Sequence, residues 1–297
     1  MAIQYTQFEN ALTSIQAAFD TRESSIYRLR ELTRFLAENR IAWNVPPSMA
    51  NSELIRLLLQ NTPLRKIRFS PVNHPPVNAE IRYVWRITDP FALALALKND
   101  SYLSHASAMF LHGLVEKIPP QIFVNKEQSV KPPPSGTLDQ AGINRAFAAK
   151  QRVSQFVFRF EDDRELVLLS GKNSNRLGVG PLRTAAGLTV EATTIERTLI
   201  DVVVRSAYAG GVEQVLHAYQ AARDRISVKN LINLLKGMAY VYPYHQVIGF
   251  YMQRAGFPKS QCNQLKDLGL HFNFYLTYGM KKPVYLPEWR LYLPQGW

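Results

Sequence analysis

Cysteine is nearly absent from this chain of 297 residues, which holds one, Cys262. A single thiol excludes an intrachain disulfide and any zinc site built from several cysteines. Cys262 sits in Lys-Ser-Gln-Cys-Asn-Gln, and the nearest histidine, His271, follows nine residues later, so it reads as a passive thiol rather than a nucleophile. Long apolar runs are missing too. The longest candidate, Phe91 to Leu97, spans seven residues before Lys98, against the ~20 needed to cross a bilayer. The first ten residues lack the basic start and apolar centre of a signal peptide. No membrane association is therefore expected, and a cytoplasmic protein is. Acidic residues are the other shortage: 23 against 35 basic ones, a formal net charge of +12. That balance disfavours acidic-surface functions and favours a polyanionic partner such as nucleic acid.

Hydrophobic residues make up 46% of the chain, enough for a core in each of the roughly two domains that the length implies. Apolar positions Phe8, Leu12, Ile15 and Phe19 share one helical face over residues 5–19. A second helix is predicted over 22–39, from Ile26, Leu29, Leu32, Phe35 and Leu36. A third, capped by Ser48 or Asn51, runs to Gln60 with Leu54, Leu57 and Leu58 inward. After Pro63 the period changes. Residues 64–69 alternate apolar and basic side chains, 70–79 form a loop with three prolines, and 80–87 read as a second strand. Three helices and a hairpin describe a winged helix-turn-helix. Residues 88–98 form a connector.

Beyond it, Ser104 is predicted to cap a short helix, His105 to His112, which Gly113 ends. A strand is expected over 118–125, an exposed extended loop over 130–136, and paired strands at 155–160 and 165–170 around the acidic turn Glu161-Asp162-Asp163. From Thr193 the chain reads as mostly helical, closing in an aromatic-rich tail. Thr193 and Glu196 have capping-box spacing, and Arg197, Asp201 and Arg205 follow at i, i+4 steps. The fold class expected is α+β: a winged helix-turn-helix over residues 1–98, then a mixed α/β domain over 99–297.

The basic hairpin carries the best functional signal. Between Leu54 and Arg86 lie six basic residues and one acidic residue. Arg65, Lys66, Arg68, Arg82 and Arg86 would contact phosphates, while the third helix and the turn before it would present Ser48, Asn51, Ser52, Arg56 and Gln60 to bases. Charge is not confined there, since residues 1–98 carry +4 and 99–297 carry +8. Other constellations read as structure. His105 and His112, seven apart, lie about 10 Å apart along a helix axis, too far for one metal. Ser170 to Gly180 is rich in glycine and cations but lacks the Walker spacing. Tyr244, His245 and Tyr251 read as aromatic packing rather than a catalytic pair. No catalytic residue, cofactor or metal is expected.

Several strings taken together resemble the AbiEi family of type IV toxin–antitoxin antitoxins. They are Tyr102–Leu114, Leu168–Val179, Thr193–Asp201, Tyr208–Val212, Tyr242–Gly256 and Phe272–Leu276, with Ser52–Phe69 similar to that family's winged-helix reader. The resemblance implies a bacterial autorepressor that binds inverted repeats of double-stranded DNA in its own promoter. Its C-terminal domain would counter an AbiEii-type nucleotidyltransferase toxin, with no stable complex required, in abortive infection of phage-infected cells. A different-class alternative is a metal-dependent nuclease using Asp162, Asp163, Glu165 and Lys172. A third is a protein-interaction module with an idle hairpin.

Overall fold

The structure, a computed structural model, describes residues 2–72, 78–132 and 136–297, with backbone only for residues 2–7. It mixes α and β, in two compact units: residues 1–99 with 158–164, and residues 100–157 with 165–297. The first break falls one residue beyond the boundary expected from sequence. The return of 158–164 to the first unit was not expected.

The first unit begins with α1 (Ala2–Asp20), β1 (Ile26–Tyr27), α2 (Leu29–Asn39) and α3 (Asn51–Asn61). The hairpin β2 (Leu64–Pro71) and β3 (Glu80–Trp85) follows, then α4 (Pro90–Leu95). The helix expected from residue 22 starts only at Leu29, because Ile26 and Tyr27 pair antiparallel with Val84 and Tyr83. A Glu31 carboxylate accepting the Arg28 N–H at 2.7 Å marks the true start of α2. Neither Ser48 nor Asn51 caps α3. Ala50 holds the cap position, without a side-chain cap, and Asn51 is already helical. Phe8, Ile15, Phe19, Leu32, Leu36, Leu54 and Leu58 bury the helical faces against Leu64, Tyr83 and Trp85 at the root of the hairpin. Phe19 stacks on Trp85 at 4.4 Å between ring centres. Residues 73–77 of the expected wing loop and 133–135 of the expected proline loop lie outside the described residues.

The second unit carries β4 (Tyr102–Leu103), α5 (His105–Leu111), β5 (Gln121–Glu127) and α6 (Gln140–Ala148). It continues, after β6 (Val157–Phe160), with β7 (Arg164–Gly171), β8 (Val179–Arg183), β9 (Thr189–Thr193) and α7 (Ile195–Val204). The strand β6 pairs antiparallel with the tip of β2, Arg159 opposite Ser70, which is what draws 158–164 into the first unit. β5 runs parallel to β7 and antiparallel to β4, while β9 is parallel to β4 and forms a hairpin with β8.

Helices α8 (Val212–Ala222), α9 (Val228–Met238), α10 (Tyr244–Arg254) and α11 (Lys259–Lys266) complete the helical layer, and β10 (Phe274–Tyr275), β11 (Val284–Leu286) and β12 (Leu291–Leu293) make a small separate sheet. α7 packs on α5, α8, α9 and α10 through Leu199, Ile200, Val202 and Val203. Its cap is Thr194, whose hydroxyl accepts the Arg197 N–H at 3.3 Å. The capping box expected at Thr193 and Glu196 is absent. Thr193 ends β9 with its hydroxyl on that of Thr198, and the Glu196 carboxylate accepts the Ser227 N–H before α9. The aromatic tail folds back on α10. Gly249 leaves room for the Trp289 ring against the helix, where any Cβ would collide with it. Tyr251 stacks on Tyr219, and His245 hydrogen-bonds the Gly269 carbonyl, so this helix packs as its sequence suggested. Among the described residues, no helix is long and apolar enough to cross a membrane.

Candidate nucleic-acid interface and a cationic cleft

The register of the hairpin sorts its cations. Leu64, Lys66 and Arg68 stand opposite Trp85, Tyr83 and Ile81, on the face that packs on α2 and α3. Alternation puts Arg65, Ile67 and Phe69, with Val84, Arg82 and Glu80 opposite, on the reverse face. Near the root the first face is buried. Further out, Lys66 and Arg68 are exposed, and Arg68 donates from Nε to the Ser70 hydroxyl at 3.2 Å. Lys66 makes no hydrogen bond or ion pair to a described residue. On α3, Ser52, Arg56 and Gln60 recur every four residues and are all exposed. Arg56 holds Glu53 through two bonds of 2.6 and 3.0 Å and Gln60 through one of 2.9 Å. The bonds from Arg56 hold the Glu53 carboxyl below its usual range. Ser48 is exposed in the turn before the helix. Asn51 is half-buried, with its side-chain oxygen enclosed and unpaired, so it offers little to an outside ligand.

The remaining hairpin cations have structural partners. Arg82 is corrected outright: it is 4% exposed. Its guanidinium donates to the carbonyls of Ala96, Leu97 and Ile81 and to Glu80, each within 2.9 Å. The connector lies against this strand face, so Arg82 fixes α4 rather than facing a phosphate. Arg65 donates to Glu161 and to the Ile87 carbonyl. Arg86 binds Asp20 at 2.8 Å, and that bond, with one from the Trp85 indole, holds the Asp20 carboxyl below its ordinary range. The cations turned outward on the side of α3 are thus Lys66, Arg68 and Arg56.

The nuclease constellation does not assemble. Asp162 and Asp163 occupy left-handed turn positions, with φ of 51 and 58°. The Lys172 ammonium donates to the carbonyls of Met238 and Ala239 at 2.6 and 2.7 Å. No group of three potential metal ligands occurs among the described residues.

The second unit holds a cleft of about 1120 Å³ that sequence reading missed. Lys131, Arg152, Lys172, Arg197 and Arg205 line it, and among the described residues Asp201 is the carboxylate in its wall. Arg197 binds Asp201 at 2.8 Å, with both side chains buried. It also donates to the Leu177 carbonyl and the Ser174 hydroxyl. Burial, the largest single influence, works to lower the Arg197 pKa, but the Asp201 charge and hydrogen bond together with Tyr102 and Tyr240 raise it above its ordinary value and keep the guanidinium protonated. The helical ladder stops there. Arg205 has left α7, with φ of −139°, and turns to the cleft.

His105 lines the same space with a left-handed backbone, φ of 51°, and burial pushes its imidazole down to about 4. Ser104 does not cap α5; its hydroxyl meets His105 Nδ1 instead. Arg197 and Arg205 come from α7 and its end, and Lys131, Arg152 and Lys172 from three other segments.

No family model and no curated protein matches the chain. Among solved structures, it is similar to the Rv2827c protein from Mycobacterium tuberculosis, with 15% identity, a TM-score of 0.58, and coverage of 95% of this chain and 90% of that one. At that identity the likeness is one of fold.

Proposed function

We propose that this protein is a DNA-binding autorepressor and antitoxin of the AbiEi kind, and not an enzyme. In this reading α2, α3 and the β2–β3 hairpin work as a winged helix-turn-helix. α3 lies in the major groove with Ser52, Arg56 and Gln60 toward base edges, and Lys66 and Arg68 on the wing hold backbone phosphates. The observation that carries the reading is that Lys66 and Arg68 lie exposed on the hairpin face that packs on α2 and α3, while Ser52, Arg56 and Gln60 lie exposed along α3.

The antitoxin part rests on the family resemblance of the second unit. Strings far apart in sequence meet there in space: His112 bonds the Thr193 carbonyl at 2.7 Å, Arg197 reaches Leu177, and Lys172 reaches the end of α9. The toxin would be an AbiEii-type nucleotidyltransferase encoded alongside.

A gel-shift titration of the full chain on the DNA upstream of its own reading frame tests the repressor. Salt-sensitive retardation is expected, with log affinity falling by about 0.9 per phosphate contact for each tenfold rise in salt. Cleavage of that DNA with magnesium would favour the nuclease instead, and no retardation at low salt would remove the repressor. For the antitoxin, co-expression with the adjacent nucleotidyltransferase is expected to restore growth; continued arrest by an active toxin would contradict it.

A further inference from the structure

The cleft of the second unit lies outside the repressor reading and has its own chemistry. Of its cations, Arg197 is spent on Asp201 and Lys172 on two helix-end carbonyls. Arg152 and Arg205 make no side-chain hydrogen bond or ion pair to a described residue. Their segments are tied together. Ser154 N–H donates to the Tyr208 hydroxyl at 2.7 Å, and Ala207 N–H donates to the Gln151 side chain at 3.3 Å. Two unengaged guanidiniums are therefore held on adjoining segments at one cleft. A guanidinium's planar fork matches the oxygens of a phosphate, which it binds through paired, charge-assisted bonds.

The same cleft exposes apolar side chains that a folded core would have covered. Phe156 is 44% exposed and Val241 52%, and both line it. Tyr240, half-buried, lines the same cleft, with the Lys172 ammonium 5.5 Å from its ring centre. Flat apolar surface next to unpaired guanidinium groups fits a ligand with a flat ring at one end and anionic oxygens at the other. An acidic peptide would satisfy the cations but leave the aromatic surface without a planar partner.

We propose that this cleft binds a nucleoside phosphate, with Arg152 and Arg205 on the phosphate and Phe156 and Tyr240 against the base. The phosphate is that of a free nucleotide or of the 5′ end of a strand.

Calorimetric titration of the full chain with ATP, tripolyphosphate and a 5′-phosphorylated tetranucleotide tests this. ATP or the tetranucleotide is expected to bind at least tenfold more tightly than tripolyphosphate, since stacking one base on an aromatic ring contributes about that much. Tighter binding of ATP identifies the free nucleotide as the source, and tighter binding of the tetranucleotide identifies the strand end. Arg152→Gln with Arg205→Gln is expected to weaken the preferred ligand at least tenfold. Phe156→Ala is expected to weaken it without altering tripolyphosphate binding. All of these side chains are partly or fully exposed, and circular dichroism checks that the variants fold. Lys66→Glu with Arg68→Glu is expected to leave nucleotide binding unchanged, which separates this site from the hairpin. Absence of binding, equal binding of tripolyphosphate, an unaffected double-arginine variant, or loss of nucleotide binding in the hairpin variant would each overturn the proposal.

Discussion

The two units carry positive charge in different ways. In the first, the outward cations Lys66, Arg68 and Arg56 stand exposed on a hairpin and a helix, where water screens them. In the second, Arg152 and Arg205 line a cleft whose walls include Phe156, Tyr240 and Tyr242. The same kind of charge would thus suit a duplex in one place and a compact anion in the other. In each unit a buried arginine holds structure instead: Arg82 anchors α4, and Arg197 anchors α7. Partners within the fold, not sequence position, separate the arginines that build from those left accessible.

The largest effect is expected from Asp201→Asn. It leaves the Arg197 charge buried without its carboxylate, a loss on the order of 3–5 kcal/mol. Thermal unfolding should show a large drop confined to the second unit's transition, and protection against toxin should fall only in proportion to folded protein. Wild-type stability with lost protection would make Asp201 functional.

Arg82→Met should come next. It strips three carbonyls and Glu80 of their donor, costing about 2–4 kcal/mol. Here the first unit should be destabilised, while DNA affinity per folded molecule holds. A selective loss of DNA binding without destabilisation would return Arg82 to the interface.

The third effect depends on pH. His105 is held neutral by burial, with its folded pKa near 4 against 6.5 for an ordinary histidine. Between those values the unfolded chain binds the extra proton, so the stability this histidine contributes is present above pH 6.5 and lost as pH falls toward 4. The loss is on the order of 3 kcal/mol. His105→Gln should flatten denaturation midpoints across that window; an unchanged slope would mean that other groups set it. The smallest effect is expected for Arg56→Ala, whose ion pair with Glu53 is fully exposed. Melting should not move measurably, and DNA affinity should fall modestly.

The helices of the first unit were legible because Phe8, Leu12, Ile15 and Phe19, or Leu54, Leu57 and Leu58, repeat at helical spacing. The strand at Ile26–Tyr27 was not, because the apolar spacing of 26, 29 and 32 also suits a helix, and only the distant partner Tyr83 decides against it. The same limit explains Arg82. Alternation identifies two strand faces but not which one α4 will cover. The Arg197–Asp201 pair was readable from its i, i+4 spacing. The hairpin of β8 and β9 was not recognised, since Gly178 and Gly180 made its first strand read as a turn. The cleft as a whole was not legible, for beyond the Arg197, Asp201 and Arg205 spacing on and just after α7 its cations come from three other segments, at Lys131, Arg152 and Lys172.

In the proposed reading a DNA duplex meets the exposed cations of the hairpin and not those of the cleft. Affinity for the upstream DNA, measured against salt concentration for the wild type, for Lys66→Glu with Arg68→Glu, and for Arg152→Gln with Arg205→Gln, tests it most directly. The hairpin variant should lose at least tenfold in affinity and flatten the salt slope by about two phosphate contacts, while the cleft variant should overlay the wild type. A cleft variant that loses DNA binding while the hairpin variant keeps it would contradict the account.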